Sequence, residues 1–272
     1  MKDARRLLFI GAHPDDADVE FGGTAIKLAR AGHTVKFVSA TNGNCGHHKM
    51  SPAALAVRRK QETRAAANVA GIGEYQVLDH PDCGIENTLA NRAEFTRIIR
   101  GFAPDVVITH RTCDYHPDHR ITAQIVLDCS FIVQVPLYCP DTPIPSKMPV
   151  FAYCYDIFTK PDPIRADAIS EIDSVLDDKL RMLDCHVSQF YEWLPFNSFG
   201  IDDLDPDKMS WREKKELIFK ILPYYEKCAD LFRRRIIDIY GSEKTIEHVE
   251  VFEASEYGRK VTPSEFQSLF EP

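Results

Sequence analysis

The sequence predicts an open, mainly parallel α/β sheet flanked by helices, with a helical C-terminal extension. Two observations carry that prediction. Between residues 5 and 133, short apolar runs alternate with stretches whose apolar residues recur at helical spacing, as βαβ units require. Each apolar run then ends in small, turn-forming or polar residues, and His and Asp gather directly after them. Ligands of open α/β sheets bind outside the carboxyl ends of the strands, so the same pattern predicts where a site lies.

"RRLLFIGA" reads as the first strand, "TAIKLARAGHT" as a helix closing on Gly32, and "VKFVSATNG" as a second strand ending in a turn signal. "SPAALAVRRKQETRAAANVAGIG" is a helix with Ser51 as its cap, Pro52 in its first turn and "GIG" as its stop. "YQVLDH" is the third strand, "LANRAEFTRIIRGFAP" a helix ended by Pro104, and "DVVITH" the fourth strand. "ITAQIVLDCSFIV" follows as a helix. From about residue 134 the rhythm changes: "VPLYCPDTPIPSKMP" holds five prolines and is a loop. "VFAYCYDIFT" reads as a further strand and "DAISEIDSVLDDKLRMLDCHVSQFYEWL" as an amphipathic helix. "SWREKKELIFKILPYYEKCADLFRRRIIDIYG" gives one or two more. Residues 1–190 are thus expected to form the main domain, and 191–272 a helical extension packed on it.

Composition narrows the function. At 272 residues, 44% apolar and 27% charged, the chain is ordinary globular material. A net charge of −8 argues against a general nucleic-acid or anionic-membrane binder, which needs a basic footprint. No apolar run is long enough to span a bilayer, and the N-terminus lacks a signal-peptide pattern. The eight cysteines are scattered without a CxxC pair, which predicts free thiols and a cytoplasmic location. The "FRRR" patch at 232–235 reads as a solvated helix face.

The chemistry is concentrated in "GAHPDDADVEFGG" and "DYHPDHR". His13-Pro14-Asp15-Asp16 and His116-Pro117-Asp118-His119 are parallel turns in which the outer residues are three apart, so each turn can aim both side chains one way. A single such turn is more often a hydrogen bond or a helix cap. Two of them at the ends of two strands point to a metal held by imidazoles and a carboxylate, the donor set of catalytic zinc and equally of non-haem Fe(II). A nucleotide loop fits poorly, because "GAHPDD" lacks GxGxxG and its acids would repel phosphate. An Fe(II) oxygenase fits poorly too, because the pattern of a double-stranded β-helix is missing.

"AHPDDADVEFGGT", with "HPDH" about a hundred residues later, resembles the PIG-L/LmbE family of zinc-dependent N-acetylglucosaminyl deacetylases. "RRKQETRAAANVAGIG" is similar to that family's Arg-x-x-Glu helix, "HPDCGI" to its Pro-Asp-x-Gly turn and "LDDKLRMLDCHVSQF" to its Lys…His-x-Ser-Gln helix. The resemblance covers roughly residues 5–190; beyond it only a late "EVF" matches.

It implies a Rossmann-like fold and hydrolysis of an N-acetyl amino sugar or conjugate by metal-activated water. The metal would be Zn2+, with Fe2+ or another divalent ion as alternatives. By motif position His13, Asp16 and His119 would be ligands and Asp15 the general base. His116 would stabilise the oxyanion as a protonated imidazole oriented by Asp118, and Arg59 would reach toward the substrate. Apart from the resemblance, Asp82 reads as a contact for a sugar hydroxyl. A glucosaminyl thiol conjugate or another amide is the alternative substrate. His47, His48, His110 and Tyr115 could face the pocket, and His186, Ser188 and Gln189 could support it. Ala17 stands where many members carry Glu and Asp18 follows, which weakens any transfer of substrate identity. The expected partner is a small amino sugar, and the C-terminal extension could serve as a lid or as the interface of a homo-oligomer.

Overall fold

The computed structural model describes residues 4–272. Its sheet begins with β1 (Arg6–Gly11), β2 (Thr34–Thr41), β3 (Glu74–His80), β4 (Val106–Thr109) and β5 (Val150–Cys154), all parallel. β6 (Ala168–Glu171) and β7 (Val249–Gly258) complete it, β7 running antiparallel to both β5 and β6. The strand order is β3-β2-β1-β4-β5-β7-β6. β1 is central, and its run Leu7–Ile10 has no exposure at all. That is why it reads as continuously apolar: a parallel strand covered on both faces has no polar side.

Side-chain alternation divides the core. Leu7 and Phe9 pack with Phe21, Ala25 and Ala66 from α1 (Asp16–Arg30) and α2 (Pro52–Ala70). Leu8 and Ile10 pack with Phe95, Ile99 and Ile125 from α3 (Leu89–Phe102) and α4 (Pro117–Ile132) on the other face. The chain moves outward from β1 to β2 on one side and to β4 on the other. β1 and β4 therefore flank a topological switch point, the place where such sheets take ligands.

Local signals behave as the sequence predicts at α2, where Ser51 caps Ala54 N and Gly71 closes the helix at φ +69°. α1 differs. It starts at Asp16, well before the apolar pattern at Thr24, so the acids lie at its first turn and "FGG" inside it. Gly23 is needed there because a Cβ would meet Ile172 Cβ at 2.9 Å.

The C-terminal part also differs from expectation. "DAISEIDSVLDDKLRMLDCHVSQFYEWL" is not one helix: Ala168–Glu171 is β6, a short turn follows, and α5 (Leu176–Asp184) leads to a π-helical segment at Ser188–Trp193. Beyond it come α6 (Leu194–Phe199), α7 (Trp211–Ile221), α8 (Pro223–Leu231) and α9 (Arg233–Tyr240), so the stretch 210–241 holds three helices rather than the one or two expected. The chain then returns as β7 into the main sheet before α10 (Pro263–Ser268), so residues 191–272 are not helical throughout. A buried ion pair anchors that return. Glu250, 1% exposed, accepts from Lys179 Nζ at 2.7 Å and from the backbone N–H groups of Gly23 and Thr24 at 2.8 Å. The conspicuous "EVF" is therefore a clasp on α1. Among the described residues no helix is long and apolar enough to cross a membrane.

Candidate metal centre

The site stands at the carboxyl ends of β1 and β4, where His13 and His119 are brought together by the turns that start α1 and α4. His13 Nδ1 is 3.2 Å from His119 Nε2 and 3.7 Å from Asp16 Oδ2, and His119 Nε2 is 3.6 Å from Asp16 Oδ1. Tetrahedral ligands at about 2.1 Å from one ion stand about 3.4 Å apart, so these three groups are at ligand spacing. Gly11 permits the arrangement, since a Cβ there would meet Asp16 Cβ at 2.8 Å.

The carboxylates around this cluster have separate partners. Asp16 Oδ2 accepts from the backbone N–H groups of Ala12 and His13 at 2.8 Å, and from His110 Nε2 at 3.0 Å. Asp114 Oδ2 faces His119 Nδ1 at 3.1 Å. Asp118 Oδ2 and Asp82 Oδ1 face His13 Nε2 at 3.3 and 3.2 Å. Each of these two imidazoles thus meets a carboxylate at its other nitrogen, the arrangement that ordinarily supports a metal-binding histidine. Burial opposes a charge on His13, but Asp118, Asp16 and Asp82 outweigh it and raise its pKa well above the ordinary value. The same three carboxylates surround the space beside His13 with negative charge.

Asp15 occupies the N-cap of α1 yet makes no capping bond. Its Oδ1 instead accepts from Arg59 Nη2 at 2.7 Å. An Asp at that position ordinarily stabilises the helix by about 1 kcal/mol through its cap, so this carboxylate is diverted to the pocket at the helix's expense. Arg59, 2% exposed, is committed to Asp15 and to Gly43 O at 3.4 Å, although it also lines the cavity.

Two pairings depart from what the sequence suggests. Asp118 reaches His116 only through its backbone, its N–H donating to His116 Nδ1 at 3.2 Å; its carboxylate goes to His13 and to Cys83 N at 2.6 Å. Burial, then His13 and His119, lower the pKa of His116. With Nδ1 accepting, the neutral ring carries its proton on Nε2, so it remains a donor without being an imidazolium. Asp82 is 6% exposed and held by His13 and by Cys45 N at 3.2 Å, so it is as much a support as a surface for ligand.

Asp114 is a residue that sequence reasoning missed; Asp18 and Glu62 were noted only as motif positions, without their partners. Asp114 carried a signal, an acid two residues before the His-Pro-Asp-His turn. Asp18 is fully buried between Tyr75 Oη at 2.8 Å and His186 Nε2 at 3.2 Å. Glu62 accepts from Ser188 N at 2.9 Å and Ser188 Oγ at 2.6 Å, and Gln189 donates to Gly46 O at 3.1 Å. The Arg-x-x-Glu and His-x-Ser-Gln stretches therefore lock to each other behind the site. His47 turns to Glu192 at 2.6 Å, while His48 pairs with Asp202 and stacks on Phe196.

The cavity over the cluster is about 520 Å³. Its floor is His13, Asp15, Asp16, His116 and His119; Tyr115, Phe158, Trp193 and Tyr224 stand in its wall. Polar groups converging under an apolar rim suit a small polar ligand presented by a larger body.

Residues 8–130 match the family PIG-L, GlcNAc-PI de-N-acetylase. A diacetylchitobiose deacetylase from Thermococcus kodakarensis is 28% identical over 204 residues, which is 71% of this chain and 75% of that protein. The N,N'-diacetylchitobiose deacetylase from Pyrococcus horikoshii superposes with a TM-score of 0.72 at 23% identity, over 93% of this chain and 85% of that one. GalB, a 4-carboxy-2-hydroxymuconate hydratase from Pseudomonas putida, superposes with a TM-score of 0.73 at 19% identity, over 95% and 98%. At these identities the structural likenesses establish the fold alone. Residues 8–130, which contain both His-Pro-Asp turns, are the part of the chain that matches the PIG-L family.

Proposed function

We propose that the chain is a divalent-metal-dependent hydrolase that removes the N-acetyl group from an N-acetylglucosamine-type sugar or conjugate. The observation that carries this reading is the spacing of His13, Asp16 and His119, 3.2–3.7 Å apart, beside a further carboxylate, Asp15, that is tied to Arg59. Those three residues would hold the ion, which we take to be zinc from its borderline N/O donor set. When bound, the ion supplies Lewis-acid polarisation and a lowered pKa for water.

The chain's own groups do the rest. Asp15, fixed through one oxygen by Arg59, would take a proton from the attacking water and return it to the leaving amine. His116 Nε2–H would donate to the oxygen on which negative charge develops, a contact whose loss typically costs about 10²–10³ in rate. Asp114 and Asp118 would hold the two ligand histidines. Arg59 acts here as a positioning residue for Asp15, and Asp82 would share His13 while facing the sugar. All eight cysteines are free, which supports a reducing, cytoplasmic setting. The test is acetate release from a panel of N-acetylglucosamine conjugates. Because the same fold also carries a hydratase, addition of water without acetate would refute the reading.

A further inference from the structure

Next to the ligand cluster, a second set of donor atoms meets where the turn after β3 approaches the start of α4. Asp82, Cys83 and His116 each offer an oxygen, sulfur or nitrogen, and the three atoms lie within 4.8 Å of one another. Cys83 Sγ is 3.5 Å from Asp82 Oδ1. A tetrahedral zinc with bonds of about 2.3 Å to sulfur and about 2.1 Å to oxygen separates those ligands by about 3.6 Å, so the pair is already at ligand spacing. All three residues line the cavity and Cys83 is exposed, so an ion has a path to them. This is also where a sulfur joins the nitrogen and oxygen donors of the pocket, which makes the set softer than the His13–Asp16–His119 cluster.

We infer that Asp82, Cys83 and His116 form a second cation site, selective for thiophilic divalent ions such as Zn2+ or Cd2+, whose occupation inhibits the enzyme. The sulfur–metal bond forms as the thiol proton leaves to solvent, with no change of oxidation state. Inhibition rests on the proposed function: a His116 that ligates an ion cannot donate to the oxyanion. The site itself does not depend on that reading.

Protein already loaded with one equivalent of zinc is titrated with Cd2+. The expected result is a second equivalent per chain, an ultraviolet thiolate-to-cadmium charge-transfer band, and a loss of activity in step with the band. Cys83→Ala should abolish the band and weaken the second equivalent by about 10–100-fold or more, while the first equivalent and basal activity persist. Cys83→Gly serves as a second variant, because Cys83 sits at φ +60° and glycine relieves that conformation. No band in the parent, or a band retained in both variants because Cys45 supplies the sulfur, overturns the inference. Acetate release without a band removes the site alone; a band without acetate release removes the deacetylase reading alone.

Discussion

Replacing Asp118 by Asn distinguishes two roles for one carboxylate. The motif suggests that it orients His116, whereas the structure turns it to His13 Nε2 at 3.3 Å and to Cys83 N at 2.6 Å. The amide of Asp118→Asn would keep an acceptor for Cys83 N but lose the charge that faces His13. Loss of such an outer partner costs about 10–100-fold in metal affinity, or about 1.4–2.8 kcal/mol. Asp82 faces the same nitrogen at 3.2 Å and can take over part of the role. The single variant should therefore fall at the lower end, about tenfold, and Asp82→Asn with Asp118→Asn should exceed the sum of the two singles. Zinc affinity is measured by competition with a chromophoric chelator on protein whose circular dichroism matches the parent. Unchanged zinc affinity with a reduced kcat would refute the argument and return Asp118 to His116.

Other perturbations separate the remaining roles. Asp15→Asn should retain the metal but lower kcat by about 10²–10⁴, measured as acetate release; parental activity would remove Asp15 as the base. Asp114→Ala should weaken zinc by about 10–100-fold through His119, read by the same chelator competition. Glu250→Ala takes the carboxylate from buried Lys179 and should cost about 3–5 kcal/mol, visible in chemical denaturation; a loss under about 1 kcal/mol would mean that the clasp is idle. Burial works against a charge on fully buried His186, but Asp18 outweighs it and raises the pKa. Stability from that pair is complete below pH 6.5 and lost as pH rises through the higher folded value, so Tm should fall over that window in the parent and not in His186→Gln.

The elements most legible in the sequence are those whose signals are local. β1 is buried on both faces and reads as an unbroken apolar run; α2 carries Ser51, Pro52 and Gly71 at its ends. The two His-Pro-Asp turns announced the cluster because Pro117 and the first-turn acids start the helices that follow β1 and β4. What escaped is decided by distant partners. β6 looks helical alone and becomes a strand because it pairs with β7, far along the chain. The role of Asp118 depends on His13, 105 positions away, and that of Glu62 on Ser188. Charged residues ordinarily mean solvent, so nothing local marked Glu250 and Lys179 as a buried pair.

The central claim is that the strand-end cluster holds a catalytic metal. It is tested most directly by metal analysis of protein purified without chelator, with acetate release measured on the same sample. Stoichiometric zinc and acetate from an N-acetylglucosamine conjugate are expected, both lost in His119→Ala. A protein that takes up no divalent metal on reconstitution, or a His119→Ala variant with parental metal content, would contradict it.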